Sequence, residues 1–221
     1  DRKVVRRFFH DVNDKEGIRS NSIYSLLVDD RGAVWVGHFQ AGLDYSLYQN
    51  GLFRTYAYPP QFNSANLSIR SFVNRGPEKV IGSRDGLFYI NEATGIVKSF
   101  VKPVLTSDLI LTICFYEGEY YIGTYGGGMM VLNPQTLSLK YFTQGDTELF
   151  QKGHIFCVKP DNRGNLWIGT SQGLFCYNGQ TKQIKNFTST NSQLPEGNVY
   201  EVSFDSTGKG WIATETGMCI Y

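Results

Sequence analysis

The chain has 221 residues, 41% of them hydrophobic and 14% aromatic, which suffices for the sizeable core of one large all-β domain. Its 21 basic and 20 acidic residues leave a net charge of +1 with no basic stripe, so nothing marks a nucleic-acid partner. No apolar run is long enough to span a bilayer, and the opening Asp1-Arg2-Lys3 has no leader pattern and reads as a mature or excised start.

Val5 to Phe9 reads as a short strand that stands outside any repeat. A polar stretch from Asp11 to Asn21 follows. The first full unit then runs Ile23–Val28, a turn at Asp29-Asp30-Arg31-Gly32, Ala33–Gly37, Gly42–Leu47 and Leu52–Tyr56. The second unit has Ile69–Val73, Lys79–Ser83, Gly86–Ile90 and Val97–Val101. The third has Ile110–Tyr116, Tyr120–Thr124, Gly128–Leu132 and Leu139–Phe142. The fourth has Ile155–Lys159, Asn165–Thr170, Gly173–Tyr177 and Ile184–Phe187. The fifth has Val199–Phe204, Gly210–Thr214 and Gly217–Tyr221, one strand fewer.

The small residues Gly37, Gly82, Gly123, Gly169 and Ala213 align at steps of 45, 41, 46 and 44 residues. An all-strand period of about 40–45 is the range of propeller blades. The fold expected is therefore all-β: one β-propeller domain over 1–221, built of four-stranded antiparallel blades. Repeats fall at about 22–56, 69–101, 110–142, 155–187 and 199–221. Four are complete and the fifth lacks its outer strand. Either residues 5–9 supply that strand and close a five-bladed ring, or the segment is part of a larger ring. Blades stacked face to face bury both sides of their inner strands, which accounts for continuous apolar runs such as Ile155-Phe156-Cys157-Val158. Trp35, Trp167 and Trp211 share one repeat position and point to inter-blade packing, while the aligned glycines mark close backbone approach.

Cys114, Cys157, Cys176 and Cys219 all fall inside predicted strands and form no Cys-x-x-Cys, so they read as small buried hydrophobes. The three histidines, His10, His38 and His154, make no metal-binding pair, and no nucleophile elbow occurs. Gly126-Gly127-Gly128 precedes no Lys-Ser/Thr and reads as a turn, not a phosphate loop. Asp29-Asp30 sits where Asp-x-x-Gly turns recur and reads as structural. No cofactor and no metal is expected.

The repeated pattern Asp-x-x-Gly-x-Leu/Val-Trp-Ile/Val-Gly-Thr…Gly-Leu, best seen in residues 161–177, resembles the two-component regulator propeller repeat. The second and third units lack Trp and carry altered turns, so they are diverged copies. The resemblance implies a non-enzymatic periplasmic sensor region of a Bacteroidetes-type hybrid sensor histidine kinase. It implies an oligosaccharide ligand, a flanking propeller or β-sandwich domain, and kinase parts outside this segment. A homodimer is a further partner to expect.

In a propeller, the loops joining second and third strands share a face with the inter-blade loops, and recognition concentrates on such loops. The first set carries His38, Phe39 and Gln40; Arg84 and Asp85; Tyr125; Ser171 and Gln172; and Glu215. These positions vary while their flanks stay constant. The candidate ligand-binding residues are His38, Gln40, Arg84, Asp85, Tyr125, Gln172 and Glu215, of types that hydrogen-bond or stack on sugars. In the inter-blade loops, Tyr58 and Phe62 are further aromatic candidates. Two other readings stand beside the sensor. One is a propeller-fold polysaccharide lyase or hydrolase using His38, Tyr125 and Glu215. The other is a pure protein-interaction scaffold.

Overall fold

The structure is a computed structural model and describes residues 8–29, 31–46, 52–56, 67–145 and 147–221. Blade one is β1 (Ile23–Val28), β2 (Val34–His38), β3 (Leu43–Ser46) and β4 (Phe53–Thr55). Blade two is β5 (Ile69–Arg75), β6 (Glu78–Ser83), β7 (Leu87–Asn91) and β8 (Ile96–Phe100). Blade three is β9 (Ile110–Tyr116), β10 (Glu119–Thr124), β11 (Met129–Leu132) and β12 (Leu139–Tyr141). A short helix, α1 (Thr147–Lys152), precedes blade four, which is β13 (Ile155–Pro160), β14 (Asn165–Thr170), β15 (Gly173–Asn178) and β16 (Ile184–Phe187). Blade five is β17 (Val199–Phe204), β18 (Gly210–Thr214) and β19 (Gly217–Ile220). The all-β propeller with a three-stranded last blade is as the repeat predicts. Among the described residues no helix is long and apolar enough to cross a membrane.

The repeat motif has a visible physical job. Asp29 accepts the backbone N–H groups of Arg31 and Ala33 on one carboxylate oxygen and the Trp35 indole N–H, at 2.9 Å, on the other. Asp161 does the same for Arg163, Asn165 and Trp167, and Asp205 for Thr207, Lys209 and Trp211. The carboxylate thus holds the turn and aims the indole at once. The Thr after the aligned small residue is a latch: Thr124, Thr170 and Thr214 each donate a hydroxyl to the glycine carbonyl that opens the next strand.

The core lies in four seams between successive blades. Ile69, Ile110, Ile155 and Val199 open the inner strands of blades two to five and are fully buried, contributing about 1.5–3 kcal/mol each. Each passes close to the aligned glycine of the preceding blade. A Cβ on Gly123 would come within 2.7 Å of Ile155, and one on Gly169 within 2.6 Å of the Val199 carbonyl oxygen. That explains the glycine column. Trp35 packs against Phe72 of blade two, and Trp167 against Phe204 of blade five, with ring centroids 5.9 and 6.0 Å apart.

The two end faces are open. Leu26 occupies the repeat position of Phe72 and Val202, yet it is 66% exposed against their 8% and 1%. Met218 occupies the position of Leu43 and Leu174 and is 65% exposed against 1% for each of them. Blades one and five therefore do not seal on one another. Ala213, where the other four repeats carry glycine, stands on a face of blade five that no other described blade covers. Of the predicted strand Val5–Phe9, residues 5–7 lie outside the described residues. Phe8 and Phe9 are not in a strand, and Phe8 rests edge-on against Phe53 of blade one, 5.1 Å between centroids. Among the described residues β19 has no outer partner. The segment after Phe8 instead covers the outer half of blade one: Ile18 packs on Val36 and Phe53, and Glu16 accepts the Phe53 N–H.

Candidate functional site

Every inner strand carries a β-bulge at the same repeat position. Pairing steps from Ile23–His38 to Ser25–Gly37, from Ile69–Ser83 to Ser71–Gly82, and from Ile155–Thr170 to Cys157–Gly169. The same shift occurs between Ile110 and Thr112 and between Val199 and Glu201. The extra residue in each blade is Tyr24, Arg70, Leu111, Phe156 or Tyr200. A bulge re-aims a side chain out of the ladder. These five side chains together line one opening of about 260 Å³ on the propeller axis. Below it a funnel of about 500 Å³ runs down between the inner strands of the blades.

The opening lies on the face predicted for the recognition loops. The first residue of each loop between second and third strands donates its N–H to the carbonyl just ahead of an inner strand. The pairs are Phe39 to Ser22, Arg84 to Ser68, Tyr125 to Leu109, Ser171 to His154 and Glu215 to Asn198, at 2.9–3.2 Å. The loops are thus tied directly above the bulges. Aromatic rings run round the mouth: Tyr24 against Phe39 at 5.2 Å, Phe156 against Tyr200 at 5.0 Å, and His154 6.1 Å from Phe156. Tyr125 stacks on His154 at 4.0 Å, and the Asn198 side-chain amide donates to the Tyr200 hydroxyl. The guanidinium of Arg70 lies over the Tyr24 ring, 4.9 Å from its centroid.

The structure places the predicted site residues unequally. Gln40, Arg84, Asp85, Gln172 and Glu215 are exposed on the loop face, and Tyr125 is half exposed there. Glu215 is turned toward the neighbouring loop, where its Oε2 accepts the Asn198 N–H. His38 is a correction. It ends β2, is fully buried, and its Nε2 lies 2.9 Å from Asp44 Oδ2. A carboxylate only accepts, so Nε2 is the donor. Asp44 also accepts the Arg19 N–H, which ties the N-terminal segment to blade one. His38 fills the column that Thr124, Thr170 and Thr214 fill elsewhere and belongs to the scaffold. No hydrogen bond joins any two of His38, Tyr125 and Glu215; each has other partners. Tyr58 and Phe62 lie outside the described residues. Phe156, expected in a core run, is a mouth residue.

Tyr24, Arg70, Leu111, Phe156 and Tyr200 were missed because each sits inside an apolar strand. The signal was available: this column reads Tyr, Arg, Leu, Phe, Tyr directly after one that reads Ile, Ile, Ile, Ile, Val. Among the described residues no cluster of three or more His, Cys, Asp or Glu could hold a metal ion.

Residues 17–40 and 150–172 match the two component regulator propeller family. The extracellular domain of the putative hybrid two component system BT3049 from B. thetaiotaomicron is 26% identical, with a TM-score of 0.72 over 96% of this chain. The extracellular domain of BT4673 from the same organism is 18% identical at a TM-score of 0.64 over 98% of this chain. PorZ of the Porphyromonas gingivalis type-IX secretion system is 15% identical at 0.74 over 99%. The last two support the fold alone. This chain spans 28%, 33% and 34% of the three structures' lengths. No curated protein sequence matches significantly. The repeat motif, the radial blades and the family match agree: two stretches of this propeller, in blades one and four, carry the two component regulator propeller repeat.

Proposed function

We propose that this chain is an extracytoplasmic sensor propeller of a two-component signalling protein, and that it binds an oligosaccharide at the axial mouth. The observation that carries the reading is the ring of bulges. Five separate strands each spend a ladder position to turn one side chain toward the same opening, and three of the five are aromatic. Aromatic faces take up the apolar faces of sugar rings, and the tyrosine hydroxyls and Asn198 serve their hydroxyl groups. Four tightly packed seams make internal rearrangement costly, so the signal passes as a change in how the propeller packs on its neighbours, including flanking domains or a second protomer. The role is recognition, not catalysis, within this segment.

Calorimetric titration of the chain with a panel of host and plant oligosaccharides tests this. Binding by one class, weakened about tenfold (1.4 kcal/mol) in Phe156→Ala and in Tyr200→Ala, is the expected result. Binding that both variants leave unchanged places the ligand elsewhere and refutes the assignment.

A further inference from the structure

The five residues that line the opening carry a single formal charge. Of its five bulge residues only Arg70 is ionised, and no carboxylate occupies the position in any blade. Arg70 Nε is buried without a hydrogen-bond partner. None of the ion pairs among the described residues includes Arg70. The acidic groups that line the funnel below are committed elsewhere. Glu201 is 3.3 Å from the Lys159 ammonium, and Asp29 accepts hydrogen bonds from Trp35 and Asn74. A guanidinium held over an aromatic ring, with a buried donor left over, is an incomplete site for an oxyanion. The walls around it lower the local dielectric, so an incoming anion is attracted more strongly than at an open surface.

We propose that the axial mouth selects saccharides bearing a carboxylate or a sulfate, with that oxyanion seated on the Arg70 guanidinium and the sugar ring against Phe156 and Tyr200. This rests on the saccharide reading above and sharpens it to acidic glycans. The planar fork of arginine matches both groups, so the shared chemistry is a single ring-borne oxyanion. Lysine would keep the charge but lose the fork.

The test uses matched pairs of probes: α-1,4-digalacturonate against α-1,4-galactobiose, and N-acetylgalactosamine 4-sulfate against N-acetylgalactosamine. Each is titrated into the unaltered chain, Arg70→Gln and Arg70→Lys, with circular dichroism melts to establish that the variants fold. The expected result is that an acidic member binds at least about tenfold more tightly than its neutral partner. Arg70→Gln removes that preference by weakening the acidic probe at least about tenfold more than its neutral partner, Arg70→Lys keeps only part of the preference, and added salt weakens the acidic probe more than the neutral one. Preference for the uronate alone or the sulfate alone identifies which oxyanion is read. Equal binding of both members, unaffected by Arg70→Gln but weakened by Phe156→Ala, overturns the acidic selectivity and leaves the saccharide reading standing. Absence of binding by all four probes overturns this proposal, and the broader oligosaccharide panel then decides the saccharide reading separately.

Discussion

Gly169→Ala places a methyl in the seam between blades four and five. Its Cβ would lie 2.6 Å from both Cys157 Sγ and the Val199 carbonyl oxygen, well inside van der Waals contact. The sulfur belongs to the same blade and can turn. The carbonyl cannot move alone, because Val199 is paired with Thr214 and the preceding Asn198 carbonyl accepts the Glu215 N–H. The seam must open instead. Overpacking of this kind costs about 1–3 kcal/mol. Replacing a strand glycine by alanine returns about 0.5–1 kcal/mol of backbone entropy. The ranges leave a net loss of about 0–2.5 kcal/mol, about 1.25 at their midpoints, which lowers the melting temperature of a domain this size by about 2.5–5 °C. Ala213→Val is the matched control. It adds two methyls at the same repeat position on the open face of blade five, and its effect stays within about 0.5 kcal/mol. Urea titration followed by circular dichroism reads both. An unmoved midpoint in Gly169→Ala, or an equal loss in Ala213→Val, would refute the argument that glycine is kept for the next blade.

Three more outcomes follow from the geometry. Ile155→Ala, in the blade three–four seam, costs about 2–5 kcal/mol, whereas Leu26→Ala on the open face of blade one costs less than about 0.5; urea midpoints of the two compare them. Burial pushes the Asp161 carboxyl up, but hydrogen bonds from Asn165, Trp167 and Arg163 outweigh it and hold the group below its ordinary 3.8. Its stabilising contribution is therefore complete above that value and is lost as pH falls through the lowered folded value, so Asp161→Asn flattens this part of the acid-unfolding curve. Burial pushes the thiols of Cys114 and Cys157 up to about 12 and that of Cys176 up to about 11. At pH 8 Ellman's reagent accordingly modifies Cys219 first and reaches Cys114 and Cys157 only on unfolding; prompt reaction of all four contradicts the packing.

The blades were legible because their signals are local and redundant. Asp161, Gly164 and Trp167 each fix a turn or a contact within ten residues, so strands end within a residue or two of where the motif puts them. What stayed hidden depends on other blades or on a single substitution. The helix at Thr147–Lys152 is too short for a periodic signal and is held by Leu149 and Phe150 buried in the blade three–four seam. The repeat pattern puts His38 in a loop although it aligns with the Thr column. The clue was Asp44, a lone charge where the other blades carry Phe88, Met130, Phe175 and Cys219. The mouth residues were hidden most deeply. A bulge changes where one side chain points without changing the apolar pattern around it, and only five blades set round an axis bring those side chains together.

The most direct test of the account is a crystal structure of the chain soaked with the oligosaccharide that binds best in calorimetry. The account predicts sugar density on the axis, within contact of Arg70, Phe156 and Tyr200. Well-ordered sugar bound on a blade edge or on the opposite face, with the mouth vacant, would contradict it.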